Sequence, residues 1–317
     1  MSKHSEHHSH SHEHTHDHSH EHGHGHHHHG VESMSDITRA FFIGIILNLG
    51  FVIAEVIYGT LSNSIALLAD AGHNLQDVLG LALSAFSIWL AGRPSTKRHT
   101  YGYRKSTILA SLANSLFLVF ACGAILWESF HRFNTAHVVD GRTMGTVAIV
   151  GIVINLGSAL LFLGHRHELN SRGAFIHLAT DAVISLAVAI SGYLIYKTGY
   201  SWIDPAVSIG VAAMILYGTW NLLKNALGLA LDIVPEGISV DEVKAHLLEN
   251  KSLLDVHHIH IWPLSTFENA MTAHIRVEGK NNTPDLLREI SHEVQHHFRI
   301  HHITLQIETG DCESDCT

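Results

Sequence analysis

Two copies of one short pattern, His-x-x-x-Asp, lie inside separate apolar stretches of the chain. They are His73–Asp77 in LLADAGHNLQDVLGLAL and His177–Asp181 in AFIHLATDAVISLAVAI. Four residues are close to one helical turn, so each pair projects from a single helix face. An ionisable group in hydrocarbon is costly unless it faces a cavity and finds a partner. One such pair alone reads equally well as a structural contact in which the carboxylate orients the imidazole. Two pairs in different spans are much harder to assign to packing. Two imidazoles and two carboxylates suit a tetrahedral divalent cation. If the helices face each other, the four side chains fill the shell with no water ligand, which fits binding and release better than hydrolysis. Two carboxylates would leave the loaded shell formally neutral. Because imidazole titrates near neutral pH, metal and protons would compete for the same atoms, a physical basis for exchanging one against the other.

The elements that must position these groups are membrane helices. Hydrophobic residues make up 46% of the 317 and charged ones only 15%, against roughly 25% charged in soluble domains. Six apolar runs approach the length of a bilayer span, about 20 residues, at 40–61, 65–91, 106–128, 143–164, 174–196 and 203–223. The first is too long, and too far from any small-residue cleavage site, to read as a removable signal peptide. Orientation follows from basic residues in short loops. The loop after the second run carries Arg93, Lys97, Arg98, Arg104 and Lys105 without an acid, and the loop after the fourth carries Arg166 and Arg172. The alternate loops hold little net charge, so both termini are expected on the cytoplasmic side of a plasma-type (inner) membrane. Moving a helix bundle between two openings around a midplane site would then complete transport.

Other polar residues lie within the spans. Asp70, His73 and Asp77 follow i, i+3, i+7 and share one face, which must point into the bundle. Glu55, Asn48, Asn114 and Asn155 read as interhelical hydrogen-bonding groups. No His-Glu-x-x-His falls in any apolar span, which argues against an intramembrane metalloenzyme. The net charge of −10 and the lack of a basic stripe argue against nucleic acid. With three cysteines no disulfide framework is expected; Cys122 lies in mid-span, and Cys312 and Cys316 are either soft-metal donors or free thiols.

The chain divides into 1–33, 34–223, a linker 224–238 and 239–317. In the first segment 15 of the first 29 residues are His, interleaved with Ser, Glu, Asp, Thr and Gly. Nothing there can build a core, so it reads as a disordered metal-binding arm, and the interleaving distinguishes it from an added tag. It chelates without choosing, since imidazole accepts zinc, copper, nickel and cobalt alike. The last segment reads as a small soluble domain. Ser239–Glu242 forms a capping box opening a helix, Leu254–Trp262 and Ala270–Glu278 alternate as strands, Thr283-Pro284 starts a second helix, and His301–Glu308 is a third strand. The helix should bury Leu287, Ile290, Val294 and Phe298, and the last strand Ile303, Leu305 and Ile307. The order αββαβ predicts an open two-layer sandwich of ferredoxin type, thin-cored and helped by dimerisation. The fold class is thus six transmembrane helices plus a C-terminal α+β domain.

ALLADAGHNLQD, RHTYGYRKSTILASLAN, HLATD, DPAVSIGVA and HHIHIWPLST, in that order, resemble the cation diffusion facilitators, most closely their zinc-exporting branch. The resemblance covers nearly everything after residue 35. It implies a homodimer, six spans per subunit, a cytoplasmic ferredoxin-like domain and metal–proton exchange that moves zinc out of the cytoplasm. The family's transport ligands fall on His73, Asp77, His177 and Asp181, and His at both His positions implies zinc selectivity. Cadmium, cobalt or nickel as the main substrate is the alternative, ahead of a metal sensor or store. The family's cytoplasmic metal ligands fall on His257, His274 and Glu308. A further position is Gln306, a poor zinc ligand, for which Cys312 and Cys316 could substitute. Strand alternation places His274 and Glu308 off the core, but puts His257 on the face of Ile259 and Ile261, as in an ordinary half-buried histidine. His258, His260, His292, His296, His297, His301 and His302 read as surface residues. The loop between spans four and five is short and holds only His165 and His167, where vertebrate relatives carry a histidine-rich segment.

Overall fold

A computed structural model describes residues 32–133, 135, 137–161, 169–277 and 284–308. The histidine-rich segment, His165, His167, Cys312 and Cys316 lie outside these residues. Six long helices come first: α1 (Glu32–Ser62), α2 (Ile65–Ala91), α3 (Ser106–Phe133), α4 (Gly141–Leu161), α5 (Leu169–Thr198) and α6 (Ile203–Ala230). Five are long and apolar enough to cross a bilayer, and α1 adds the shorter apolar stretch Ile46–Ser62. Their polarity is inverted relative to a soluble protein. Phe120, Trp127 and Tyr217 are more than three-quarters exposed, whereas Glu55, Asp70, Asn74, Asp181 and Asp204 are fully buried. With lipid as solvent, apolar side chains face outward and polar groups must find partners inside.

Local chemistry sets the helix ends. Asn63, at a left-handed φ of 55°, turns the chain between α1 and α2, and the Ser64 side chain caps α2 by accepting from Leu67 N. Asp140 caps α4, accepting from the backbone N–H groups of Arg142 (3.1 Å) and Thr143 (3.2 Å). Gly199, at φ +72°, ends α5, its N–H bonded to Ile195 O. The sixth helix runs to Ala230, beyond the apolar limit at 223. Lys224 interrupts the apolar pattern but breaks no hydrogen bond; the helix stops only where Asp232 turns left-handed and Pro235 follows.

Helices α1 and α4 pack together, α2 packs on α1 and α3, α4 on α5, and α3 on α6. The closest approach is α4 to α5. A methyl group on Gly192 would lie 2.6 Å from Gly145 N, and one on Gly141 2.5 Å from Gly192 O. Side-chain-free surfaces allow this approach, as in many membrane helix pairs. One apolar cluster joins Ala66 and Leu67 of α2, Met144 and Ala148 of α4, and Val188 and Ile195 of α5. It holds α5 in place beside α2.

The C-terminal domain has the expected order: α7 (Val240–Leu248), β1 (Leu253–Pro263), β2 (Asn269–Val277), α8 (Pro284–Phe298) and β3 (Ile300–Glu308). The sheet runs β1-β2-β3, antiparallel between β1 and β2 and parallel between β2 and β3, with α8 as the crossover. Val243, Leu247, Val256, Met271, Ile275, Ile290 and Val294 form its core. Ser239 caps α7 through Glu242 N. On α8 the buried face is Leu286, Ile290 and Val294, with Leu287 and Phe298 at its margin. The domain docks at the end of the bundle where α2 stops and α3 begins. Arg104 pairs with Glu268 at 2.5 Å, Lys105 with Asp232 at 2.7 Å, and Thr266 N donates to Thr107 Oγ1 at 3.1 Å.

Candidate metal transport site

Helices α2 and α5 bring the two His-x-x-x-Asp pairs face to face. His73 Nε2 lies 4.0 Å from Asp77 Oδ2 and 3.3 Å from Asp181 Oδ1; His177 Nε2 lies 3.1 Å from Asp77 Oδ2 and 3.6 Å from Asp181 Oδ2. The helices run antiparallel here, so each imidazole meets both carboxylates and the two rings stand 6.1 Å apart at 74°. Four donors held about 2.1 Å from a zinc-sized ion at tetrahedral angles stand about 3.4 Å from one another. The four nitrogen–oxygen distances bracket that edge. His73, Asp77 and Asp181 each place one donor atom within 4.8 Å of the others, while His177 stands outside that trio and reaches it through Asp77 and Asp181.

The shell is graded in exposure. Side-chain exposure is 0% for Asp181 and 13% for His73, but 18% for Asp77 and 45% for His177. Asp77 and His177 lie on the turns nearer Ala91 of α2 and Leu169 of α5, the end of the bundle that carries the C-terminal domain. The more open half of the shell therefore lies toward that domain, and the closed half toward the opposite end.

Two groups behind the shell were not singled out by spacing. Asp204 of α6 is fully buried and accepts from Ser64 Oγ (2.5 Å), Ile65 N (2.8 Å) and Ala66 N (3.2 Å). It thereby anchors the first turn of α2. Ser185, one turn beyond Asp181, donates to Asp70 at 2.9 Å. An acid at the start of an apolar helix, as Asp204 is, was the available signal; a serine among many carried none.

The cation efflux transmembrane domain family matches residues 41–229, and the cation efflux protein cytoplasmic domain family matches 235–310. The chain belongs to the cation efflux family. It is a multi-pass membrane transporter and not an enzyme. The zinc transporter ZitB of Escherichia coli (strain K12) is 36% identical over 272 residues, covering 84% of this chain and 86% of its own length. The metal cation efflux system protein CzcD of Cupriavidus metallidurans is 33% identical over 277 residues, 87% and 88% of the two chains. The cadmium, cobalt and zinc/H(+)-K(+) antiporter of Bacillus subtilis (strain 168) is 32% identical over 277 residues, 86% and 89% of the two chains.

In this cation efflux protein a second donor cluster sits on the sheet of the C-terminal domain. His257, His274 and Glu308 each place one donor atom within 4.8 Å of the others. His257 Nε2 is 3.1 Å and His274 Nδ1 2.8 Å from Glu308, and His257 Nδ1 is 2.9 Å from Asp255 Oδ2. Strict alternation put His257 with Ile259 and Ile261, and that expectation fails. The β1 register shifts between His257 and His260, and His258 adopts a left-handed φ of 48°. This bulge reverses the phase of β1, so His257 stands directly opposite His274. It also brings the His258 ring within 5.1 Å of both other imidazoles, where a surface position was expected. Gln306, in register with His274, donates to Glu308 at 3.3 Å and so steadies the carboxylate.

Proposed function

We propose that the chain exports zinc from the cytoplasm in exchange for protons, through a tetrahedral shell of His73, Asp77, His177 and Asp181. The observation that carries this reading is the set of four imidazole–carboxylate distances, 3.1 to 4.0 Å, between two helices. Zinc has no geometric preference of its own from d electrons and accepts this nitrogen–oxygen set readily. Loading replaces protons on the four side chains, so metal entering from one side and protons from the other drive opposite occupancies of one site. The similarity to ZitB supports zinc as the substrate, and the similarity to the Bacillus cadmium, cobalt and zinc/H(+)-K(+) antiporter supports proton coupling. That name also includes cadmium and cobalt, so these ions are the competing cargo.

In this reading the C-terminal domain lies in the cytoplasm of a cell with the transporter in its inner membrane. The exposed half of the shell, His177 and Asp77, then meets cytoplasmic zinc. The chain works as a homodimer joined through the cytoplasmic domains. His257, His274 and Glu308 bind regulatory metal at the sheet, with Cys312 and Cys316 as further donors and the histidine-rich arm raising local metal concentration.

The test is metal flux into proteoliposomes under an imposed pH gradient, comparing zinc, cadmium, cobalt and nickel. Zinc flux should be fastest and should follow the gradient, while Asp181→Ala should fall to the rate of protein-free vesicles. Flux indifferent to the gradient would overturn proton exchange. Wild-type flux in Asp181→Ala would overturn the site.

A further inference from the structure

One layer behind the shell, between α1, α2 and α5, lies a second acidic cluster for which metal ligation has no use. Glu55 of α1 and Asp70 of α2 are both at 0% exposure. Asn74 Nδ2 donates to Glu55 Oε2 at 3.1 Å, and Ser185 Oγ donates to Asp70 Oδ2 at 2.9 Å. The two carboxyls lie near enough to act on each other. Their remaining oxygens, Glu55 Oε1 and Asp70 Oδ1, are buried with no donor from any other described group.

Among the described residues, no cation is committed to this pair. From α2 the ionisable neighbours are His73 and Asp77, and from α5 His177 and Asp181; each imidazole directs Nε2 to Asp77 and Asp181. Helix α4 contributes the uncharged Asn155, buried as well. Asp204 of α6 is engaged at the start of α2, and Arg132 of α3 is held by Glu128 and Asn63 O. Two neighbouring carboxyls at zero exposure strongly disfavour double ionisation. One proton held by the pair makes one carboxyl a donor and the other an acceptor.

We propose that Glu55 and Asp70 form a proton-binding site separate from the metal ligands, which gains a second proton when the shell is empty and releases it when metal binds. The coupling is electrostatic. The charge of Asp181 acts on both carboxyls. A metal-free shell holding fewer than two protons keeps a net negative charge on its two carboxylates, and the pair then lies beside that charge in low dielectric. Metal bound to Asp181 cancels it, one O–H bond of the pair breaks, and the proton leaves to water while the shared proton stays. The hydrogen bonds give the same link a mechanical side: Asn74 follows His73 in the chain, and Ser185 is one turn from Asp181. Each transport cycle then moves one proton that no metal ligand carries. The inference rests on the metal–proton exchange proposed above.

The experiment uses the full chain in proteoliposomes with paired lumenal dyes for metal and protons. The readout is protons moved per zinc ion, a ratio independent of how many molecules are folded or correctly oriented. Glu55→Gln/Asp70→Asn replaces both carboxyls with amides of the same shape. Zinc should still move, and the ratio should fall by one proton per ion relative to wild type. Glu55→Gln alone should show the same fall, because its amide donates to Asp70 and keeps that carboxylate ionised throughout. An unchanged ratio in these variants overturns the proposal. So does the loss of all zinc binding in both, which would make the pair a structural tie. If wild type itself moves no protons, the exchange reading fails, and that outcome is distinct from an unchanged ratio in the variants.

Discussion

Replacing Asp204 with alanine should loosen the start of α2 and weaken metal binding at a distance. The Asp204 carboxylate accepts from Ser64 Oγ, Ile65 N and Ala66 N, all buried, and it lies at the positive end of α2's aligned peptides. With alanine, the two N–H groups have no intrahelical partner and no water. Each orphaned donor costs about 1–3 kcal/mol, and the hydroxyl can turn elsewhere, so the two N–H groups together give an expected loss of about 2–6 kcal/mol. Asparagine keeps one acceptor oxygen but turns an N–H₂ toward a donor, so it should lose about 1–3 kcal/mol. His73 is eight residues further on, about 12 Å along the helix, so a frayed first turn also lets His73 wander from Asp181. The assay is equilibrium unfolding of the purified protein by sodium dodecyl sulfate titration with metal chelated, followed by zinc affinity of each variant. The order should be wild type, asparagine, alanine in both measurements. An alanine variant within about 1 kcal/mol of wild type, or an asparagine variant as damaged as alanine, would refute the reasoning.

At the α4–α5 contact, Gly192→Ala places a methyl 2.6 Å from Gly145 N and 2.8 Å from Gly141 O, both backbone atoms that cannot rotate away. It should cost about 1–3 kcal/mol or more and reduce zinc affinity by displacing α5, whereas Gly157→Ala, with nothing within 4 Å of the new methyl, should match wild type in the same unfolding and binding assays. Asp140, outside the spans, is held below the ordinary carboxylate range first by the Thr143 hydroxyl bond (2.6 Å) and then by backbone bonds from Thr143 and Arg142. A lowered folded value means that its stabilisation is present above the unfolded value near about 3.9 and is lost as pH falls below it. Losing this exposed cap, Asp140→Ala should cost about 0.5–1 kcal/mol at neutral pH, and the difference from wild type should shrink as pH falls below the unfolded value; a difference that does not shrink would refute the assignment.

Much of the candidate site was legible because helical periodicity is local. Residues four apart share a face in any helix, so His73 with Asp77 and His177 with Asp181 could be paired without knowing where either helix goes. The αββαβ order was legible for the same reason, since the Ser239 capping box and the Ile303, Leu305, Ile307 alternation are local signals. Local rules failed at His257. A bulge inserts one residue of phase, and nothing in HHIHIW announces that His258 will turn left-handed. On α8 the expected core face of Leu287, Ile290, Val294 and Phe298 left out Leu286, which is buried while Leu287 and Phe298 sit at the margin, because a helix phase read from spacing alone is uncertain by one residue. The sixth helix was ended too early because an apolar pattern marks lipid, whereas hydrogen bonding marks helix.

What the sequence by itself determined is an inventory with periods: six apolar helices, two ionisable turns inside them, a small α+β domain, and the donor types that suit a divalent cation. Those follow from solvent preference and from 3.6-residue and two-residue repeats, which act over a few positions. Only the tertiary structure decided which groups meet. It set Asp181 against His73 across more than a hundred residues, seated Asp204 on the first turn of α2, and placed Glu55 beside Asp70 behind the shell. Each of those contacts depends on how closely helices approach, which is governed by glycines at α4–α5 and by buried packing around α2, and no local period encodes it. The candidate donor chemistry was carried by residue types; which of those donors stand face to face was carried by helix packing.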